Sequence, residues 1–167
     1  MADAAIDGIE SAPNWTWLRA GRLPLSPLPG ARREVEALSE MRQDTALYLG
    51  AQASESRLKS AAADADVLHL AVHTLLDSAN PMESALVLAP DGKENGLLQV
   101  WEVLDQLRLH ARLVVLSGCE TAAGAQFDGE GVMGFVRAFH RAGASSVIAS
   151  LWPTHDVATA ELVRRFY

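Results

Sequence analysis

Two stretches, Val67-Leu68-His69-Leu70-Ala71-Val72 and Leu113-Val114-Val115-Leu116, are apolar at almost every consecutive position. Such runs predict strands buried on both faces of a parallel sheet, because a strand with one wet face would alternate. Ser146 to Trp152, stopped by Pro153, reads the same way, as does Ser84 to Ala89, closed by the turn signal Pro90-Asp91-Gly92. Thr45 to Leu49 before Gly50 predicts a shorter strand. Between the runs the apolar period changes to that of a helix. Val35, Leu38 and Met41 mark a surface helix over 31–42, and an Ala-rich helix follows over 54–63. Val100, Val103, Leu104 and Leu107 share one helical face, and so do Val132, Phe135, Val136 and Phe139. Asp156 is placed to cap a last helix through Ala158, Leu162 and Phe166. Residues 1–30 are punctuated by Pro13, Pro24, Pro27 and Pro29 and by three glycines, which predicts an irregular arm; Trp15, Trp17 and Leu18 give it apolar weight to lie along a domain surface.

Strand, helix, strand over 112–152 demands a crossover and parallel pairing. The expected fold is therefore α/β, a sandwich with a mainly parallel sheet. One domain over 22–167, preceded by an arm over 1–21, accounts for all 167 residues, and no internal repeat is visible. A formal charge of −7 argues against nucleic-acid binding and against attraction to anionic membranes. A single cysteine excludes an internal disulfide and fits a reducing compartment. The first eleven residues have no apolar core of a signal peptide, and no run approaches the roughly 20 residues of a membrane span. The expectation is a cytoplasmic chain without a cofactor.

The candidate chemistry sits at two strand ends. Leu113-Val114-Val115-Leu116-Ser117-Gly118-Cys119-Glu120-Thr121 places the cysteine just past a buried strand, and His73 lies just past the other. In open α/β sheets, ligands gather outside the carboxyl ends of the strands. A cysteine attacks as its thiolate, and a neighbouring imidazole can take its proton and later hand one to a leaving amine. The main-chain N–H groups of Cys119 and Thr74 are candidates for stabilising an oxyanion. The competing reading makes Cys119 a small buried hydrophobe. His69 and His73 form H-x-x-x-H, which on a helix would suggest zinc and a metal hydrolase. The flanking pattern here is a strand and no third ligand is evident, so no metal is expected and His69 reads as a satisfied core histidine. His110, His140 and His155 read as surface or helix-end residues. Alanine at position 125 excludes a Cys-x5-Arg phosphatase loop.

At these residues the chain resembles the CHAT domain family, the caspase- and separase-like domain often attached to TPR repeats. The matching stretches are His69 to His73, Leu113 to Thr121, Gly129-Glu130-Gly131-Val132-Met133-Gly134 and Arg137-Ala138-Phe139. They continue through Ala142-Gly143-Ala144, Ser146 to Pro153 and Asp156-Val157-Ala158-Thr159, and Leu28 to Arg32 with Glu34-Val35 resembles the family's opening segment. The resemblance implies a caspase-like three-layer αβα sandwich and a cysteine endopeptidase working through a thioester acyl-enzyme. His73 would be general base and acid, and Cys119 the nucleophile. His73 precedes Cys119 by 46 residues, close to the roughly 50 of caspases. The separase-like branch implies a protein or peptide substrate with a basic P1 residue, for which Asp156, Asp128 and Glu130 are candidate acidic walls. The alternative roles of these three are a helix cap and solvated loop charges. Two departures bear on activity. The family's usual Gly after the histidine is Thr74 here, and its usual Ala before the cysteine is Gly118. The chain also ends within a helix, at Arg164-Arg165-Phe166-Tyr167, where the family pattern continues, so a C-terminally truncated copy is expected, under control of a regulatory protein partner. A catalytically silent scaffold that binds a partner is the alternative.

Overall fold

A computed structural model describes residues 1–4, 25, 28–77, 79–117, 129–150 and 156–167; the side chains of residues 129, 130, 156 and 157 lie outside that description. Its elements are β1 (Ala2–Ala4), α1 (Pro29–Met41), β2 (Leu49–Gly50), α2 (Glu55–Ala61), β3 (Val67–Leu70), β4 (Thr74–Leu75), β5 (Ala85–Val87), β6 (Leu97–Gln99), α3 (Val100–Gln106), β7 (Leu113–Leu116), α4 (Gly129–Ala142), β8 (Val147–Ala149) and α5 (Asp156–Phe166). The fold is α/β.

The central sheet grows from the two apolar runs. β3 pairs with β7 in parallel register, Val67 opposite Leu113 through Leu70 opposite Leu116, and β7 pairs in parallel with β8. β1 pairs in parallel with β2, and a parallel bridge from Ala2 to Ala71, with the Ala71 N–H donating to the Met1 carbonyl at 2.8 Å, joins that pair to the end of β3. The order is thus β2-β1-β3-β7-β8, every pairing parallel. Ala2–Ala4 is a strand where the proline-rich pattern of the first thirty residues predicted none. Three small residues are too short a signal to read, and their pairing is set by β2 and β3.

β4, β5 and β6 form a separate antiparallel meander inserted between β3 and α3. The expected helix over 100–107 is α3, whose start is fixed by a reciprocal cap: the Glu102 carboxylate accepts from the Gln99 N–H at 2.9 Å, and the Gln99 side chain caps the first turn. α2 begins at Ser54, whose hydroxyl accepts from the Arg57 N–H at 3.3 Å. α1 carries Pro29 in its first turn, where the missing N–H costs nothing.

Helices cover both faces. Leu68, Leu70, Val114 and Leu116 share one core with Leu58 of α2, Val103 of α3 and Phe135 and Phe139 of α4. On the other face Ala2 and Ala71 lie with Ala31 and Val35 of α1, and α1 packs against α5. Among the described residues, no helix is long and apolar enough to cross a membrane.

Candidate active site

Strand register decides where the predicted chemistry meets. Leu70 and Leu116 are the last paired residues of β3 and β7, and the Ser117 N–H continues the ladder onto the Leu70 carbonyl at 2.8 Å. His73 follows Leu70 by three residues, and Cys119 follows Leu116 by three. The two chain segments therefore leave neighbouring parallel strands at the same end. The return of the chain lies in the same place. A Cβ on Gly131, in the first turn of α4, would come 2.9 Å from Cδ2 of Leu76, so glycine allows α4 to approach the segment just beyond His73. Both flanks of the Cys119 segment, Ser117 and Gly131, thus border residues 70–76, with His73 at their middle.

His73 is buried, 6% exposed, and its carbonyl accepts from the Val87 N–H of β5 at 2.8 Å. Thr74 and Leu86 are directly opposite in this antiparallel ladder. With the adjacent bond running from Val87 to His73, they form its non-hydrogen-bonded pair, so the Thr74 N–H points away from β5. Thr74 also sits in an extended strand, and Asp3 is the non-glycine residue with positive φ among those described. A β-branched side chain suits that backbone.

Cys119 and Asp128 lie outside the described residues. Glu130 falls in the first turn of α4 and Asp156 opens α5, but their side chains are not described, so the acidic-wall assignment has no geometry here.

His69 is held elsewhere. Its Nε2 lies 2.6 Å from Oε1 of Glu34 on α1, and its Nδ1 3.2 Å from the hydroxyl of Tyr167. A carboxylate oxygen accepts, so a neutral His69 ring in this setting carries its hydrogen on Nε2 and accepts from Tyr167 at Nδ1. The ring is thus a satisfied core histidine, as its strand context predicts, with both nitrogens engaged by protein groups. Nothing in the sequence spacing pointed to Glu34 and Tyr167 as its partners, because they come from 35 residues before and 98 residues after it.

A second cluster went unread in the sequence. Lys59 of α2 places its ammonium 2.7 Å from Glu55, 3.0 Å from Glu94 and 2.9 Å from Glu102. Burial raises the Glu55 carboxyl to about 7, with Glu102 and Glu94 adding to the shift and Lys59 opposing it. Burial alone would lower Lys59, but its hydrogen bonds to the three carboxylates win and raise it. These carboxylates are the grouping among the described residues with metal-ligand spacing, and their centre is taken by the chain's own cation.

The register of β3 with β7 sets the two strand exits, one leading to His73 and the other on to Ser117, at the same end of a parallel α/β sheet. The CHAT domain model matches residues 9–167, nearly the whole chain, and the chain belongs to the CHAT domain family. It is 28% identical over 191 aligned positions to tetratricopeptide repeat protein 28 of Mus musculus, and 28% identical over 186 to tetratricopeptide repeat protein 28 of Homo sapiens. Each alignment covers 92% of this chain but only 7% of the relative's length.

Proposed function

We propose that the chain is a cysteine endopeptidase domain that cleaves a protein substrate at a restricted site, with Cys119 as nucleophile and His73 as general base and acid. The observation that carries this reading is the bracketing of residues 70–76 by both flanks of the Cys119 segment, at Leu70–Ser117 and at Leu76–Gly131. His73 would take the thiol proton as sulfur attacks the scissile carbonyl carbon, then pass a proton to the leaving amine. Water would hydrolyse the resulting thioester. The N–H of Thr74, directed away from β5, would help stabilise the developing oxyanion, together with that of Cys119. A basic P1 residue would pair with Asp128, Glu130 or Asp156.

A panel of peptides with Arg, Lys and neutral P1 residues, assayed against wild type and Cys119→Ala, tests the reading. Cleavage is expected from wild type alone, fastest with Arg or Lys, and His73→Ala should lower it by about 10²–10⁴-fold. Equal cleavage by wild type and Cys119→Ala would sink it.

The burial of His73 favours a second reading, a catalytically silent CHAT scaffold that binds a partner. An acyloxymethyl-ketone probe separates the two. Stoichiometric labelling of Cys119 that depends on His73 rules the scaffold out; a folded protein that resists the probe and all the peptides supports it.

A further inference from the structure

The opposite end of the sheet carries an arrangement that the dyad does not use. From Leu107 to Arg112, immediately before β7, burial alternates: Leu107, Leu109 and Ala111 are buried while Arg108, His110 and Arg112 are exposed. Alternation of period two is that of an extended segment, in which side chains on one side recur about every 7 Å. This strip runs along the C-terminal end of α4. The Leu109 N–H donates to the Ala142 carbonyl at 2.7 Å, and the Ser145 N–H donates to the Ala111 carbonyl at 2.9 Å. Gly143, at φ +121°, lets the two segments meet this closely, since a Cβ there would collide with the Leu109 carbonyl. The last turn of α4 exposes His140 and Arg141 beside the strip.

The charges are only partly used within the molecule. Arg112 forms a two-pronged ion pair with Asp66. Arg108 donates to the Leu107 carbonyl, a neutral acceptor, and among the described residues no carboxylate forms an ion pair with it. The helix dipole accounts for basic residues in the last turn of α4. It does not account for Arg108 and His110, which lie on a non-helical strip.

The net charge of −7 removes any long-range pull on a polyanion such as nucleic acid or an anionic bilayer. A small basic strip on an acidic surface instead suits a short acidic segment, which the rest of the surface would repel into one place. An extended peptide with carboxylates at alternate positions presents them at the same spacing as Arg108, His110 and Arg112. We propose that the Arg108–His110–Arg112 strip, with His140 and Arg141, is a docking surface for an acidic peptide segment of a partner protein. It lies at the amino ends of β3 and β7, and an occupant there leaves their carboxyl ends open. The proposal stands whether or not Cys119 is a nucleophile.

The test uses the full chain and a short fluorescein-labelled peptide of alternating Glu and Ser, followed by anisotropy at low salt. Binding should weaken about tenfold in Arg108→Glu/Arg141→Glu and fall as salt is added. Arg164→Glu/Arg165→Glu on α5 makes the same change in net charge and should bind like wild type. Superimposable melting curves for the three proteins confirm that folding is intact. Absence of binding by wild type, equal weakening by both double variants, or tighter binding of wild type to oligothymidylate or phosphatidylserine vesicles than to the peptide would overturn the proposal.

Discussion

On one face of β3 and β7, Leu68, Leu70, Val114 and Leu116 lie in a core with Phe135 and Phe139; on the other, His69 holds Glu34 of α1 and stands beside Tyr167 at the end of α5. The first attachment is a matter of area and volume. It has no direction, and its cost of damage scales with the atoms removed. The second depends on matched donors and acceptors, so it is sensitive to loss of one partner and tolerant of loss of both. Two sides of one strand are therefore held by forces that fail in different ways.

The largest effect should come from the apolar face. Phe139 is fully buried and stacks on Phe135 with ring centroids 6.5 Å apart. Phe139→Ala should cost about 3–5 kcal/mol in a urea titration, through lost burial and a cavity that rigid neighbours cannot fill. On the polar face, Glu34→Ala should cost about 1–3 kcal/mol, because it strips the acceptor from a buried His69 Nε2–H. The double change Glu34→Met/His69→Leu should recover most of that loss, since the donor it leaves, the Tyr167 hydroxyl, is only half-buried and water can satisfy it. A double variant as unstable as Glu34→Ala alone would show that the two faces do not differ in kind.

The same contrast explains what could be read from the sequence. The apolar face was legible because its signal is local: runs of consecutive apolar residues gave β3, β7 and β8, and the spacing of Val132, Phe135, Val136 and Phe139 gave α4. The polar face was not, because Glu34, His69 and Tyr167 meet only after α1, β3 and α5 have assembled, and each is unremarkable in its own window. β4 and β6 were missed for a different reason: at two and three residues they are shorter than any period, and pairing with β5 defines them. The short strand expected over 45–49 is displaced to Leu49–Gly50, where β1 supplies its partner. The adjacency of the two strand ends that precede His73 and Cys119 was legible from their apolar runs, and the register of Leu70 with Leu116 puts those ends side by side.

The apolar side also takes in the buried carboxyl of Glu55, which gives a smaller, pH-dependent effect. Glu55 is 1% exposed beside Leu58, and burial raises its carboxyl from the ordinary 4.5 to about 7. The folded chain then binds that proton more tightly than the unfolded chain does. Its contribution to stability is complete below about pH 4.5, is lost as pH rises towards 7, and is flat beyond. Lys59 opposes the shift, which limits the loss. Urea midpoints of wild type minus those of Glu55→Gln should fall across that window; a difference that rises with pH would reverse the assignment.

The smallest effect is expected at the outer end of the clasp. Tyr167 is half-buried, and its hydroxyl is 3.2 Å from Nδ1 of His69, longer than the 2.6 Å bond to Glu34 on the other side of the ring. Tyr167→Phe removes that hydroxyl but keeps the edge-on ring contact with His69, whose centroids are 5.8 Å apart. The nitrogen left behind is an acceptor near solvent, which water can reach at modest cost. The loss should be about 0.5–1 kcal/mol by urea denaturation, below that of Glu34→Ala. If the order is inverted, the hydroxyl rather than the carboxylate fixes the imidazole, and the hydrogen belongs on Nδ1 instead of Nε2.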